Sequence, residues 1–534
     1  MVNKIIRYTQ EYPFVCLGLS FIWIFLFQSL NIFWGFELLD SGFHLAAYDN
    51  IFDAPDSVSG NFSYYLTNVI GGMIMKYLPS IGVVGYRIVG AFFVDISLFL
   101  IFIFLRKEIP VIHILIGSVL VVLSNIQIPY SFNNGICSCF FYICALLLLY
   151  KGLANENVTF VFMSGVLVGI NIFSRIPNVL GIGLVLITTF HYYIEIKKMK
   201  CDWKSSLFFL QGVTVGIAIL VILIISLGHQ QAFIDALNIL FKEGASSSGS
   251  HSFGILIWVQ IFFYLNAIVF AALLFAILYI DRLLIGSPWR ILFVGLASFV
   301  LFYHVYLNMG YEPVWSICLV GCLLCMNINE KLSLLSSLAM FMLIIEIVGS
   351  NSGNNHGSLP ALLAAPVASS VIINRKNIVY VVVLCLSFFM KVVNQGNFFD
   401  FGPLYTKQYG INVRECALIR TTSERAEAMN ATLPALRKFV HPKDTLFVYD
   451  SAPMMNYLTH TRPAGGISWP ALGAIKPLVG TPKILVQKSD GFTIATQSAR
   501  CIPTGNHMID TYMQEHEYQV VWENPYFILL FPQK

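Results

Sequence analysis

Two carboxylates and an imidazole, Glu37, Asp40 and His44, fall within the nine-residue stretch Phe36-Glu-Leu-Leu-Asp-Ser-Gly-Phe-His44. This stretch follows directly on the first long apolar run, residues 13–33. A carboxylate held beside lipid is costly unless it is paired or put to use. Partners are scarce, because only 11% of the 534 residues are Asp, Glu, Lys or Arg. Asp40 therefore reads as a catalytic base at a membrane surface, with Glu37 and His44 as substrate contacts. A second reading is structural: Asp40 and Ser41 stand where an N-cap would satisfy the free N–H groups of a following helix. Asp49, Asp53 and Asp56 read as solvated loop acids.

Arg87 and Arg175 lie near ends of apolar runs. Arginine grips phosphate through two parallel hydrogen bonds and stays charged, so the pair suits an anionic leaving group. The alternative is a long side chain snorkelling to water. His251, in Ser246-Ser-Ser-Gly-Ser-His-Ser252, and His356, in Gly349-Ser-Asn-Ser-Gly-Asn-Asn-His-Gly-Ser358, sit in small-residue loops. Such loops let a ligand approach closely, although flexible linkers share their composition.

The elements that must carry these groups are membrane helices. The chain is 57% hydrophobic, and apolar runs of about 17–25 residues are long enough to span a bilayer. Thirteen candidates follow: 13–33, 82–105, 109–129, 136–150, 157–174, 177–196, 206–227, 254–280, 290–308, 313–327, 332–349, 359–373 and 377–394. The first reads as a retained helix rather than a cleaved signal, since no small-residue cleavage site follows it. With the N-terminus inside, the cytoplasmic loops carry fourteen Lys and Arg. The outer loops before residue 390 carry four: Lys76, Arg87, Arg175 and Lys242. This asymmetry obeys the positive-inside rule. The net charge of +4, with no basic run, gives no argument for nucleic acid.

Residues 1–394 thus form a transmembrane domain, with an amphipathic first outer loop at 34–81 that could lie flat at the interface. Residues 395–534 form an extracytoplasmic α/β domain. Thr421-Thr-Ser-Glu424 reads as a capping box opening a helix to about Val440. Buried strands are expected from Thr445, Lys483, Tyr518 and Tyr526, with Asn524-Pro525 as a turn. The domain has no phosphate loop, nucleophile elbow or metal-ligand spacing, so it reads as a cover for a site. Of the eleven cysteines most lie in apolar runs as small hydrophobes, and Cys416 with Cys501 could pair outside.

An acidic first outer loop, about thirteen spans, outward arginines and a C-terminal outer domain together resemble the GT-C glycosyltransferases. The bacterial branch that uses polyprenyl-phosphate sugars is the most similar; it includes the aminoarabinose lipid A transferases and the protein O-mannosyltransferases. In that family an Asp-Glu or similar acidic motif, often followed by Gly, opens the first outer loop. Asp40-Ser41-Gly42 keeps the first acid and the Gly and lacks the second acid. Ser131-Phe-Asn-Asn134 in the second outer loop holds no acid, so the resemblance implies an enzyme without a metal or other cofactor. Arg414 to Arg425, Val448 to Pro453 and Tyr457 to Pro463 resemble the family's outer domain.

The resemblance implies inverting transfer of a sugar from a polyprenyl-phosphate donor to a lipid, glycan or protein acceptor. The reaction would take place at the outer face of a bacterial inner membrane. Asp40 would be the base, and Arg175 and Arg87, with His251, would face the lipid phosphate. A lipid-linked saccharide flippase would instead place charges or Gly/Pro breaks mid-span in repeated halves. Here Asp95 is the clearest acid inside a span and no repeat is visible. An O-antigen polymerase or ligase would place its large loop between spans rather than at the C-terminus.

Overall fold

The computed structural model describes residues 8–125, 130–245, 252–307, 312–350, 357–372, 378–397, 400–470, 478, 480–488 and 507–533. Helices α1 (Pro13–Ile32), α2 (Asp40–Asn50), α3 (Tyr65–Tyr77), α4 (Gly82–Leu105) and α5 (Val111–Asn125) come first. They are followed by α6 (Asn134–Ala154), α7 (Val158–Asn171), α8 (Leu184–Ile196), α9 (Trp203–Ser226) and α10 (Gln230–Gly244). Then come α11 (Phe253–Leu283), α12 (Trp289–Leu307), α13 (Glu312–Ile328), α14 (Glu330–Ile345), α15 (Ala364–Ile372) and α16 (Ile378–Gln395). Each expected apolar run overlaps one of these helices. Among the described residues, eight helical segments are long and apolar enough to cross a membrane. The others, such as α5, α7 and α13, are apolar but shorter.

Packing between α7 and α9 shows how such helices approach without a hydrophobic drive between them. Gly165 and Gly169 face Gly212 and Gly216 across the pair, and a Cβ on any of them would lie 2.1–2.3 Å from a backbone oxygen. Small residues four apart let the two backbones touch, which is the packing mode lipid surroundings favour.

The C-terminal domain holds α17 (Ser423–Leu436), α18 (Met454–Thr459) and α19 (His507–Glu515) around a sheet. Its strands are β1 (Thr445–Tyr449), β2 (Arg462–Pro463), β3 (Lys483–Gln487), β4 (Tyr518–Glu523) and β5 (Phe527–Pro532), in the order β2-β1-β3-β5-β4. β1 runs parallel to β2 and β3, and β5 runs antiparallel to β3 and β4. The central strands read as unbroken apolar runs because both faces are covered. Phe447, Ile484, Val486 and Ile528 point to a core shared with Ile509 and Met513 of α19. Leu446, Val448, Leu485 and Leu529 point the other way, into the main core with Met429 and Leu433 of α17.

Two local expectations change. The helix expected from a Thr421 cap begins at Ser423, its N-cap Thr422 makes no side-chain bond, and it ends at Leu436. Thr421 Oγ1 donates instead to Asp400, 2.9 Å away. In the first loop, α2 is buried along nearly its whole length rather than lying flat on an interface, because the C-terminal domain packs on it. Cys416 is a buried free thiol, and Cys501 lies outside the described residues.

Candidate active site

The chain leaves α1 through Phe33–Leu39 and re-enters a helix at Asp40. Arg420 of the C-terminal domain brackets this segment, donating its N–H to Phe33 O and accepting from Gly35 N, both at 2.8 Å. Asp400 then anchors it. One Asp400 oxygen accepts from Phe36 N at 2.7 Å and from Thr421. Arg425 lies 3.3 Å and Lys407 3.7 Å from the carboxylate. Arg425 also donates to the Phe36 carbonyl, and Lys407 to the Asp400 carbonyl. Asp400, Arg425, Lys407 and Thr421 are all buried. Burial pulls the Lys407 ammonium down to about 8 despite the adjoining carboxylate.

Glu37, also buried, accepts from Leu39 N at 2.8 Å and Ser41 N at 2.6 Å. It therefore fills the role of N-terminal cap to α2, and Asp40 makes no capping bond. Gly42 lies against Met454 at the start of α18, where a Cβ would come within 2.2 Å of Met454 N. Met454 N in turn donates to Leu38 O at 3.0 Å. A side chain at position 42 would thus lift the C-terminal domain off the loop.

Asp40 itself is exposed, and what it faces is a cavity of about 980 Å³. Among the described residues it has no hydrogen bond or ion pair. The surrounding protein, which limits hydration of the carboxylate on the cavity wall, together with the neighbouring Glu37 charge, pushes its carboxyl up to about 7. His44, one turn on, lines the same cavity and is buried. Burial drags its imidazole down to about 4, which the nearby Asn134 and Asn68 side chains offset only in part, so it is neutral at physiological pH. Phe43, Tyr64, Asn133, Asn134 and Trp469 complete this end, and Leu240, Phe241, Leu256 and Ile257 of α10 and α11 build an apolar side.

Arg175 lies on the cavity wall and is 3% exposed. The sequence Phe173-Ser-Arg-Ile-Pro177 sets it there. Arg175 has extended backbone, and Pro177 opens a 3₁₀ segment, Ile176–Gly183, in the first turn where its missing N–H costs nothing. The guanidinium donates to the carbonyls of Glu346 and, at 3.0 Å, of Val348. It also pairs with the Glu346 carboxylate at 3.5 Å. Glu346 in turn accepts from Ser138 Oγ at 3.0 Å, and Asn178 donates to Ser138 Oγ at 2.7 Å.

Arg87 is placed elsewhere. Its buried guanidinium donates to the carbonyls of Asn31, Ile32 and Trp34 at 3.1, 3.2 and 3.4 Å. It satisfies the open C-terminal end of α1, where carbonyls lack intrahelical partners, and is not among the residues lining the cavity. It is therefore not brought together with Asp40 and Arg175. Asp49, expected to be solvated, is 3.0 Å from His460 Nδ1, whose Nε2 is 3.3 Å from Glu415. His251 and His356 lie outside the described residues.

Glu346, which holds Arg175, and Trp469, which lines the cavity, were not singled out from the sequence. Glu346 carried a usable signal, as a lone acid between isoleucines in an apolar run. Trp469 carried none. Among the described residues no group of three or more His, Cys, Asp or Glu gathers as a metal ion would need.

The sequence matches no protein-family model and no curated protein. By structure the chain is similar to ArnT from Cupriavidus metallidurans bound to undecaprenyl phosphate. The two share 10% identity over 97% of this chain and 98% of that one, with a TM-score of 0.51. A weaker likeness, TM-score 0.42 at 12% identity over 85% of this chain and 64% of the other, is to the archaeal oligosaccharyltransferase AglB from Archaeoglobus fulgidus in complex with an inhibitory peptide and a dolichol-phosphate. In fold, the chain is similar to ArnT over nearly its whole length, and among the described residues eight of its helical segments are long and apolar enough to cross a membrane.

Proposed function

We propose that the chain is a membrane glycosyltransferase that moves a sugar from a polyprenyl-phosphate carrier to an acceptor hydroxyl or amine. The reaction takes place on the side opposite its Lys/Arg-rich loops. The observation that carries this reading is the pairing, in one cavity, of an uncompensated carboxylate, Asp40, with a fixed arginine, Arg175. The undecaprenyl phosphate bound to ArnT, in the same fold, supports a lipid phosphate as the leaving group.

In the reaction Asp40 takes the acceptor proton as the acceptor attacks the anomeric carbon, and the bond from that carbon to the phosphate oxygen breaks. Arg175, held by Glu346, donates to the departing lipid phosphate. A single displacement inverts the anomeric centre. A carboxyl near 7 suits this task, since a base works best when its pKa lies close to the working pH. The apolar side of the cavity accommodates the lipid.

The test uses the full chain in nanodiscs with an undecaprenyl-phosphate-linked labelled sugar and a membrane extract as acceptor source. Asp40→Asn should lower turnover by about 10²–10⁴-fold while its melting temperature stays unchanged. Full turnover in that variant removes the base assignment.

A further inference from the structure

We infer that the turn between α8 and α9, residues 197–204, is a binding site for acidic phospholipid headgroups on the membrane face opposite the cavity. It stands apart from the reaction. Three observations carry it.

The first is place. The segment Ile176–Ile196 is long and apolar enough to cross a membrane, and so is α9. Arg175, on the cavity wall, adjoins one end of that segment, and the turn joins its other end to α9. The turn therefore lies at headgroup depth, a bilayer's thickness from the cavity.

The second is charge without compensation. Lys197, Lys198, Lys200 and Lys204 are all exposed. The one acid among them, Asp202, turns inward to cap α9, accepting from Ser205 N at 3.0 Å and Ser205 Oγ at 2.6 Å. Among the described residues none of the four lysines makes an ion-pair contact. Other cations of the Lys/Arg-rich side do: Lys151 pairs with Glu108 at 3.0 Å, and Arg290 with Asp281 at 2.8 Å. Between the lysines stand two large apolar side chains, Met199 at 85% and Trp203 at 71% exposure. Ammonium groups suit lipid phosphates, and an indole suits the boundary between headgroup and acyl chain. An acidic phospholipid uses both kinds of side chain, whereas a free phosphate uses only the lysines.

The third is order. Lys197 ends α8 in the left-handed conformation. Its N–H donates to Tyr193 O at 3.1 Å, and that of Lys198 to Tyr192 O at 3.3 Å. Asp202 N donates to Thr189 O at 2.9 Å, folding the turn back on α8. The Lys200 ammonium lies 4.3 Å from the centre of the Tyr192 ring, and that of Lys197 lies 5.6 Å from the Tyr193 ring. The cations are thus held in place before a lipid arrives, so little ordering opposes binding.

The test places the full chain in phosphatidylcholine vesicles that carry a brominated lipid, either phosphatidylglycerol or phosphatidylcholine. Bromine quenches indole fluorescence on contact, and the difference between the unmodified chain and Trp203→Phe isolates the signal of Trp203. Brominated phosphatidylglycerol should reach half-maximal quenching at a mole fraction about ten-fold lower than brominated phosphatidylcholine. Lys198→Gln combined with Lys200→Gln should reduce that preference by about five-fold or more, the worth of one lysine near an anionic surface. Lys107→Gln combined with Lys331→Gln removes the same charge from other loops of the Lys/Arg-rich side and should leave the preference unchanged. Unfolding temperatures of all variants should match that of the unmodified chain. Equal quenching by the two lipids overturns the inference. So does an equal loss in the Lys107 and Lys331 variant, since only the net charge of that face would then matter. Relief of the quenching by glycerol 3-phosphate would make this a site for a soluble anion. Binding of poly-glutamate without any lipid preference would make it a surface for an acidic protein. Either of these results overturns the lipid assignment.

Discussion

Asp40 and Asp400 flank the same short segment and are treated in opposite ways. Asp400 accepts from Phe36 N and Thr421 and faces Arg425 and Lys407, all of them buried. Asp40, four residues beyond Phe36, has no such partner among the described residues and looks into the cavity. The two arginines differ in place rather than in compensation: Arg87 donates to the carbonyls that end α1, and Arg175 to the carbonyls of Glu346 and Val348 and to the Glu346 carboxylate, but of the two only Arg175 lies on the cavity wall. An ion surrounded by donors holds a structure together. An ion left without them, facing a cavity, is available to a substrate. The compensated cluster exists where it does because it fixes Phe36, and through Phe36 the position of Asp40.

The comparison breaks most visibly at Asp400. Asp400→Ala strands two buried cations and should destabilise the protein by about 3–5 kcal/mol, read as a fall in unfolding temperature in detergent. An unaltered unfolding temperature would mean that the cluster is not structural. The arginines give the next largest effect. Arg175→Ala should weaken binding of undecaprenyl phosphate by about 10–100-fold, the worth of charge-assisted hydrogen bonds of roughly 1.5–3 kcal/mol. Arg87→Ala should lower stability and leave lipid affinity unchanged; the opposite pattern would exchange their roles.

The smallest effect is expected at the clasp between the first loop and the C-terminal domain, where His460 lies between Asp49 and Glu415. Hydrogen bonds to the two acids raise His460 from 6.5 to about 9. Its contribution is therefore complete below about pH 6.5 and lost as pH rises through 9. Glu415 falls from 4.5 to about 2: burial works against this, but the hydrogen bond from His460 and the pairing with Arg437 outweigh it. That contribution is complete above about pH 4.5 and lost as pH falls through 2. His460 is 42% exposed, so solvent screening holds the clasp to less than about 1 kcal/mol. His460→Ala should flatten the decline in unfolding temperature between pH 6.5 and 9; an unchanged slope would assign that decline to other groups.

The helices were legible in the sequence because lipid demands long apolar runs, and each such run holds a helix, though among the described residues only eight segments are long and apolar enough to cross a membrane. Asp40 was legible for the same reason, as an acid at the end of a run in a chain poor in charge. The split between Arg87 and Arg175 was not, since both sit at helix ends on the side that disfavours cations. What separates them is which carbonyls fold beside them, the end of α1 or the residues after α14, and that is tertiary information. The capping role passed from Asp40 to Glu37 because the turn at Leu38–Leu39 brings the longer side chain back onto the N–H groups of Leu39 and Ser41. Thr421 likewise left its expected cap for Asp400, a partner twenty-one residues away in the chain.

The central claim is that the uncompensated carboxylate of Asp40 accepts the acceptor's proton, and the pH dependence of a single turnover tests it most directly. With an undecaprenyl-phosphate-linked sugar bound, the rate should rise tenfold per pH unit on the acid side and level off above about pH 7, where Asp40 is ionised. In Asp40→Asn that limb should vanish and the rate should stay at least about a hundred-fold lower at every pH. An Asn variant that keeps both the rate and the acid limb would contradict the account.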